Sequence, residues 1–155
     1  MLPPRQYFLN KVNAVSKDDL LVIWDGGVPS KADWRNGKNA YGSYLIRCSW
    51  FDGIIRVQHH GSILPGHSST AERRTLLAAL KSVVSIARRK GKKASQLKHI
   101  KIFMFGDCQS LCHQVNGIVK YKDSEVDAIK RRLEAFGSWH IEWWPRHMSV
   151  FFLGH

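Results

Sequence analysis

The feature that most constrains this chain is a change in hydrophobic period at Thr70. Before it, apolar residues come in short runs. Leu20-Leu21-Val22-Ile23-Trp24 is long enough for a buried strand and too short for a helix, and it ends at Asp25-Gly26-Gly27. Residues from Pro29 to Asn39 are polar and rich in turn formers, which predicts a loop. Tyr41 to Trp50 and Ile54 to Ile63 read as two further strands joined by a Phe51-Asp52-Gly53 hairpin turn, so the first three strands form an antiparallel meander. From Thr70 to about Arg89, Leu76, Leu77, Leu80, Val83, Val84 and Ala87 take the spacing of an amphipathic helix. Ser69 or Thr70 can cap its start, and Gly91 follows the cations Arg88-Arg89-Lys90 where a helix would end.

The alternation continues downstream. Ile100 to Phe105 predicts a buried strand ending at Gly106-Asp107, Gln109 to Val115 a short helix, Ser124 to Phe136 a second helix capped by Asp123 or Ser124, and Trp139 to Trp144 a last strand stopped by Pro145. The order is β-β-β-α-β-α-α-β with a short C-terminal tail. With no repeat or linker, it predicts one α/β domain over residues 1–155, with residues 1–19 as an N-terminal extension and helices covering a mixed sheet.

At 155 residues the chain can bury a single sizeable core. No apolar run approaches the roughly 18 residues needed to span a bilayer. The first residues lack the apolar stretch of a signal peptide, so a cytoplasmic protein is the expectation. Cys48, Cys108 and Cys112 are an odd count and read as free thiols. The charge is more informative: 24 Lys and Arg against 12 Asp and Glu give +12. Such an excess favours polyanionic partners, because neutralised phosphates release their counterions. It also serves solubility, and it names no reaction.

Three acids carry the candidate chemistry. Asp25 and Asp107 follow predicted strands, and Glu72 falls in the first turn of the long helix. Each alone is better explained by a turn, a cap or the helix dipole. If the first and fourth strands are neighbours, however, both aspartates converge and the helix can bring Glu72 to the same edge. In this arrangement the sequence resembles the ribonuclease H family. The resemblance rests on Ile23-Trp24-Asp25-Gly26-Gly27, Tyr41-Gly42-Ser43-Tyr44, Thr70-Ala71-Glu72 with Leu76, Leu77 and Leu80, and Phe105-Gly106-Asp107-Cys108-Gln109 with Gln114-Val115-Asn116-Gly117. It covers roughly residues 20 to 147.

The resemblance implies a ribonuclease H-like fold with a five-stranded mixed sheet and helices on its faces. It also implies two Mg²⁺ or Mn²⁺ ions held by Asp25, Glu72 and Asp107, since such ions prefer oxygen ligands and keep positions open for water and phosphate. The reaction it implies is endonucleolytic hydrolysis of the RNA strand of an RNA–DNA hybrid by a monomeric enzyme. RNA would be read through its 2′-hydroxyls, with Glu72 contacting one of them and Gly26 and Gly27 letting the backbone approach the nucleic acid.

The chain departs from the family pattern in two places. The family's fourth acidic ligand follows its last strand, but no Asp or Glu follows Glu142 here. His155 is the candidate replacement as metal ligand and catalytic group, against the plain alternative of a frayed last residue. His147 falls where many relatives carry a histidine that moves protons or helps product leave, and Arg146 is a candidate phosphate ligand. The second departure is that the segment between Asp107 and Trp139 has no room for the extra helix and basic loop with which some relatives grip their hybrid. Trp34, between Lys31 and Arg35, is a candidate stacking platform. Positive charge lies instead at residues 88–93, at Lys120 and Lys122, and at Lys130-Arg131-Arg132. Cys108, Cys112 and His113 form too small a cluster for zinc and read as helix packing. The order Asp, Glu, Asp disfavours an integrase-like transferase, and Gly27 stands where an exonuclease of this superfamily would want an acid. A catalytically weak or inactive nucleic-acid-binding module is the competing class.

Overall fold

The computed structural model describes residues 3–28, 30–37, 40–50, 54–61, 68–118 and 123–154. In chain order the elements are α1 (Arg5–Asn13), β1 (Leu20–Gly27), α2 (Lys31–Arg35), β2 (Ala40–Arg47), β3 (Ile54–Gly61) and α3 (Ser68–Arg89). They continue with α4 (Ala94–Leu97), β4 (Lys101–Gly106), α5 (Gln109–Val115), α6 (Ser124–Leu133), β5 (Ser138–Trp143) and α7 (Arg146–Leu153).

A strand with no polar face must be covered on both sides, and Leu20 to Gly26 are all buried. β1 therefore lies inside the sheet, whose order is β3-β2-β1-β4-β5. It pairs antiparallel with β2, which pairs antiparallel with β3, as the predicted meander requires. On its other side β1 runs parallel to β4, and β4 parallel to β5. The sheet is mixed and carries helices on both faces.

Side chains alternate across a strand, and β1 divides the core accordingly. Leu20, Val22 and Trp24 join Leu76, Leu80 and Val83 of α3, Leu111 and Val115 of α5, and Val126, Ile129 and Leu133 of α6. Leu21 and Ile23 point the other way, into a second cluster with Phe8, Val12, Val15, Phe105, Trp144 and Met148.

That second cluster corrects two expectations. The segment read as an N-terminal extension contains α1, whose Phe8 and Val12 are buried together with Val15 at helical spacing. The segment read as a tail forms α7. Trp144 stacks on Phe105 at 5.2 Å and on Phe152 of α7 at 5.4 Å, and its indole N–H donates to Ser149 Oγ at 3.1 Å. An aromatic ring stacked against two others with its one donor satisfied fixes the helix it touches. Lys11 of α1 is also hydrogen-bonded to Glu142 of β5.

Three smaller differences follow from local chemistry. The predicted loop after β1 holds a short helix, α2, because Ser30 Oγ accepts from Asp33 N–H at 3.1 Å and caps its start. The four-residue α4 was not expected. Ser69 and Thr70 lie inside α3, which begins at Ser68, so neither is its cap. Asp123, by contrast, caps α6 as expected, its Oδ1 accepting from Glu125 and Val126 N–H at 2.8 and 3.0 Å. The expected hairpin turn at 51–53 lies outside the described residues.

If α1 belongs to the core, Phe8→Ala should cost about 3–5 kcal/mol, the usual range for truncating a buried Phe. Urea unfolding measures this directly. A loss no larger than that of an exposed substitution would return residues 1–19 to the status of an extension.

Candidate active site

Register determines where the two aspartates fall. Ile23 of β1 is level with Phe105 of β4. Continuing the same parallel offset by two residues sets Asp107 level with Asp25. On the opposite side Asp25 faces Ser43 of β2, which is also buried. Asp25 is itself fully buried in the sheet.

Glu72 arrives from α3, and a glycine allows it. A Cβ at Gly26 would lie 2.6 Å from the carbonyl oxygen of Ala71 and 2.9 Å from Thr75 Oγ1. The first turns of α3 therefore press directly on the β1 backbone. The Glu72 carboxylate accepts a hydrogen bond from the Gly26 backbone and shares one with Asp25. Gly106 does the same service for β4: a Cβ there would lie 2.6 Å from the ring of Trp24. Beyond it, the Asp107 carbonyl accepts from the Trp143 indole N–H at 3.2 Å. Gly26 thus has a packing role in the apoprotein, in addition to whatever approach it permits a ligand.

The result is a cluster in which one carboxylate oxygen from each of Asp25, Glu72 and Asp107 lies within 4.8 Å of the others. An ion with oxygen ligands at about 2.1 Å spaces them by roughly 3–4 Å, so the cluster has the size that such an ion draws together. Glu72 Oε2 and Asp107 Oδ2 are buried and make no hydrogen bond. A hard cation is the natural partner for oxygens so placed.

Without a cation the three charges repel. Burial, then the charges of Asp25 and Asp107, push the Glu72 carboxyl up to about 10 from an ordinary 4.5. Arg146, the first residue of α7, supplies partial compensation: its Nη1 is 3.8 Å from Asp107 Oδ2, and it also hydrogen-bonds Tyr41. That bond, then the nearby Asp25 and Asp107 charges, raise its pKa further. Most of the Arg146 side chain remains exposed, so it can also reach outward.

The other candidates are distributed unevenly. His147 sits next to Arg146 at the start of α7 and is exposed, outside the carboxylate cluster. Trp34 is 46% exposed on α2. Gly27 faces Tyr41 across the β1–β2 pair, and a Cβ there would meet the Tyr41 ring. His155, the candidate fourth ligand, lies outside the described residues. Cys112 is in the core and burial pushes both its thiol and that of Cys108 upward, which fits packing rather than zinc binding. Reading the sequence missed Tyr41 as the partner of Arg146 and Trp143 as a support for Asp107. Both depend on contacts between elements distant in sequence, for which the sequence carries no local signal.

No protein-family model matches the sequence, and no curated protein matches it. Solved structures do match its fold. Ribonuclease H1 from the halophilic archaeon Halobacterium salinarum superposes with a TM-score of 0.58 at 20% identity, covering 84% of this chain and 88% of that one. The N-terminal ribonuclease H domain of a Mycobacterium tuberculosis protein gives 0.60 at 17% identity, over 86% and 87% of the two chains. LC11 ribonuclease H1, solved in complex with an RNA/DNA hybrid, gives 0.64 at 14% identity, over 86% and 90%. The architecture is that of the ribonuclease H fold, and this chain carries an acidic cluster within it.

Two predictions follow. Gly26→Ala should displace the first turn of α3 and destabilise the protein by about 1–3 kcal/mol, as overpacking does; calorimetry with and without Mg²⁺ should show both a lower Tm and a smaller metal-induced rise. The second concerns pH. Glu72 holds its proton more tightly folded than unfolded, so between its ordinary 4.5 and about 10 the metal-free folded state carries the extra proton. Its contribution to stability therefore declines as pH rises through that window. Glu72→Gln should flatten that slope in denaturant titrations in EDTA. A slope identical to wild type would refute the proton assignment.

Proposed function

We propose that this protein is a ribonuclease H: a divalent-metal-dependent endonuclease that hydrolyses the RNA strand of RNA–DNA hybrids. The observation that carries the reading is the convergence of Asp25, Glu72 and Asp107 within a ribonuclease H fold, with buried oxygens suited to a hard cation. The hybrid as substrate is supported by the similar structure solved with an RNA/DNA hybrid and by the net charge of +12.

Asp25, Glu72 and Asp107 would hold two Mg²⁺ or Mn²⁺ ions, which when bound supply activation of the attacking water and stabilisation of the leaving 3′ oxygen. The chain's own residues divide the remaining work. Asp25, fixed between β2 and β4, is the rigid member of the cluster. Glu72 gives up its proton when positive charge enters, because the repulsion that holds the proton there is then cancelled. Arg146 exchanges its contact with Asp107 for a substrate phosphate, a step its exposure permits. Gly26 and Gly27 present bare backbone at the end of β1. Trp34 offers an exposed ring for stacking on a sugar or base. His147, exposed next to Arg146 on α7, would accept or return a proton as product leaves. His155 belongs to the same proposal as a fourth ligand. The reading is of a cytoplasmic, monomeric enzyme, in keeping with three free cysteines.

Cleavage of an end-labelled RNA–DNA hybrid in Mg²⁺, compared between wild type and Asp25→Asn, tests the proposal. Wild type should produce internal cuts in the RNA strand alone, while Asp25→Asn binds the hybrid and leaves it intact. Hybrid binding by wild type with no cleavage in either Mg²⁺ or Mn²⁺ would overturn the enzyme and leave a binding module.

A further inference from the structure

Charge is distributed asymmetrically along the packed pair α3 and α6. At their N-terminal ends cations and carboxylates meet: Arg73 Nε lies 3.5 Å from Asp123 Oδ1 and 3.7 Å from Glu125 Oε1, and Arg74 Nε 3.3 Å from Glu125 Oε2. At their C-terminal ends the cations have no such partners among the described residues. Two adjoining hollows open there, of about 330 and 260 Å³, sharing Val84 and Arg132. Together they form a groove lined by Lys81, Arg88, Arg89, Arg131 and Arg132. Among the described residues none of these five is in an ion pair with a carboxylate. The buried Nε of Arg132 also makes no hydrogen bond.

Part of this has a simple origin, since cations in a last helical turn answer the helix dipole. That accounts for the two arginines ending α3 and those near the end of α6. It does not account for Lys81, which is mid-helix, nor for two helix ends aiming their cations into one concave surface. The groove also lies away from the carboxylates along α3: its near end, Lys81, is nine residues beyond Glu72, about 14 Å at 1.5 Å per residue. Arg88 is sixteen residues beyond Glu72 on the same helix, about 24 Å at 1.5 Å per residue.

We propose that this groove is a second nucleic-acid contact, separate from the acidic site, which holds the phosphate backbone of a polynucleotide. Four of its five cations are arginines, whose planar fork suits bidentate phosphate binding. Among the described residues lining it there is no carboxylate that would have to be desolvated when a polyanion enters. Phosphate is favoured over an acidic peptide because this chain already gathers carboxylates suited to phosphodiester chemistry. To that extent the inference rests on the function proposed above, but its test reads binding rather than cleavage.

The test uses the full chain in an Asp25→Asn background, so that substrate survives. Arg88, Arg89 and Arg131, all exposed, are changed to Gln together, which leaves the partly buried Arg132 and the fold undisturbed. A control removes three exposed cations elsewhere, at Arg5, Lys17 and Lys101. Kd for a fluorescent 24-base-pair RNA–DNA hybrid is measured across a salt series. Each lost phosphate contact should flatten the slope of log Kd against log salt by about 0.7–0.9, so the groove variant should be shallower than its parent by about 2. The control should change by less than 1, and a slope change equal to the control's would overturn the proposal. So would a groove variant that keeps its hybrid affinity but loses binding of a poly-glutamate probe, since that assigns the groove to acidic peptides. If wild type proves unable to cleave yet the groove dependence appears, the enzyme reading fails and this site stands.

Discussion

The closeness of α3 to the β1 backbone is the constraint on which the site depends. Helices packed on sheets normally stand off by the length of a side chain. At Gly26 there is none, and the Ala71 carbonyl oxygen lies only 2.6 Å from where a Cβ would be. The contact lets a carboxylate from one layer reach two carboxylates held by another. It also places Glu72 where water is excluded, which turns three ordinary acids into a group with a proton to release. The same geometry makes the cluster costly in the absence of a cation, since concentrated positive charge is what relieves the repulsion.

The opposite face of the sheet does complementary work. Trp144 leaves β5, enters the second core cluster between Phe105 and Phe152, and so fixes where α7 begins. Arg146, at the first position of α7, is brought beside Asp107 by this packing, and His147 follows it on the same helix. Phe105 belongs to the strand that ends at Gly106, immediately before Asp107. One aromatic stack therefore positions both an acid and the cation beside it.

Much of this was legible in the sequence, because the central elements announce themselves. β1 is continuously apolar, α3 is strongly periodic, and Asp123 is a cap of standard chemistry. The three acids could be placed by their settings at strand and helix ends. What could not be read was whether they meet, since that depends on the parallel offset between β1 and β4 and on a glycine whose role is defined by a helix remote in sequence. The helices α1 and α7 were hidden for a different reason. Each starts at a proline with no side-chain cap, and each is short and packs into the second core cluster, whose other members include residues of β1, β2 and β4 and Trp144. Arg146 could be suspected, but its bond to Tyr41 joins residues on different elements and leaves no trace in local spacing.

The contact between Trp24 and Gly106 has an evolutionary consequence. The indole fills the volume that a side chain at 106 would need, so the two positions share one space between β1 and β4. Neither can change size alone: a larger residue at 106 has no room until 24 shrinks, and a smaller residue at 24 leaves a void until 106 grows. Since 24 precedes one catalytic candidate and 106 the other, drift at either position is transmitted to an adjacent aspartate. The pair is thus a place where sequences diverging from this one are expected to change together or not at all.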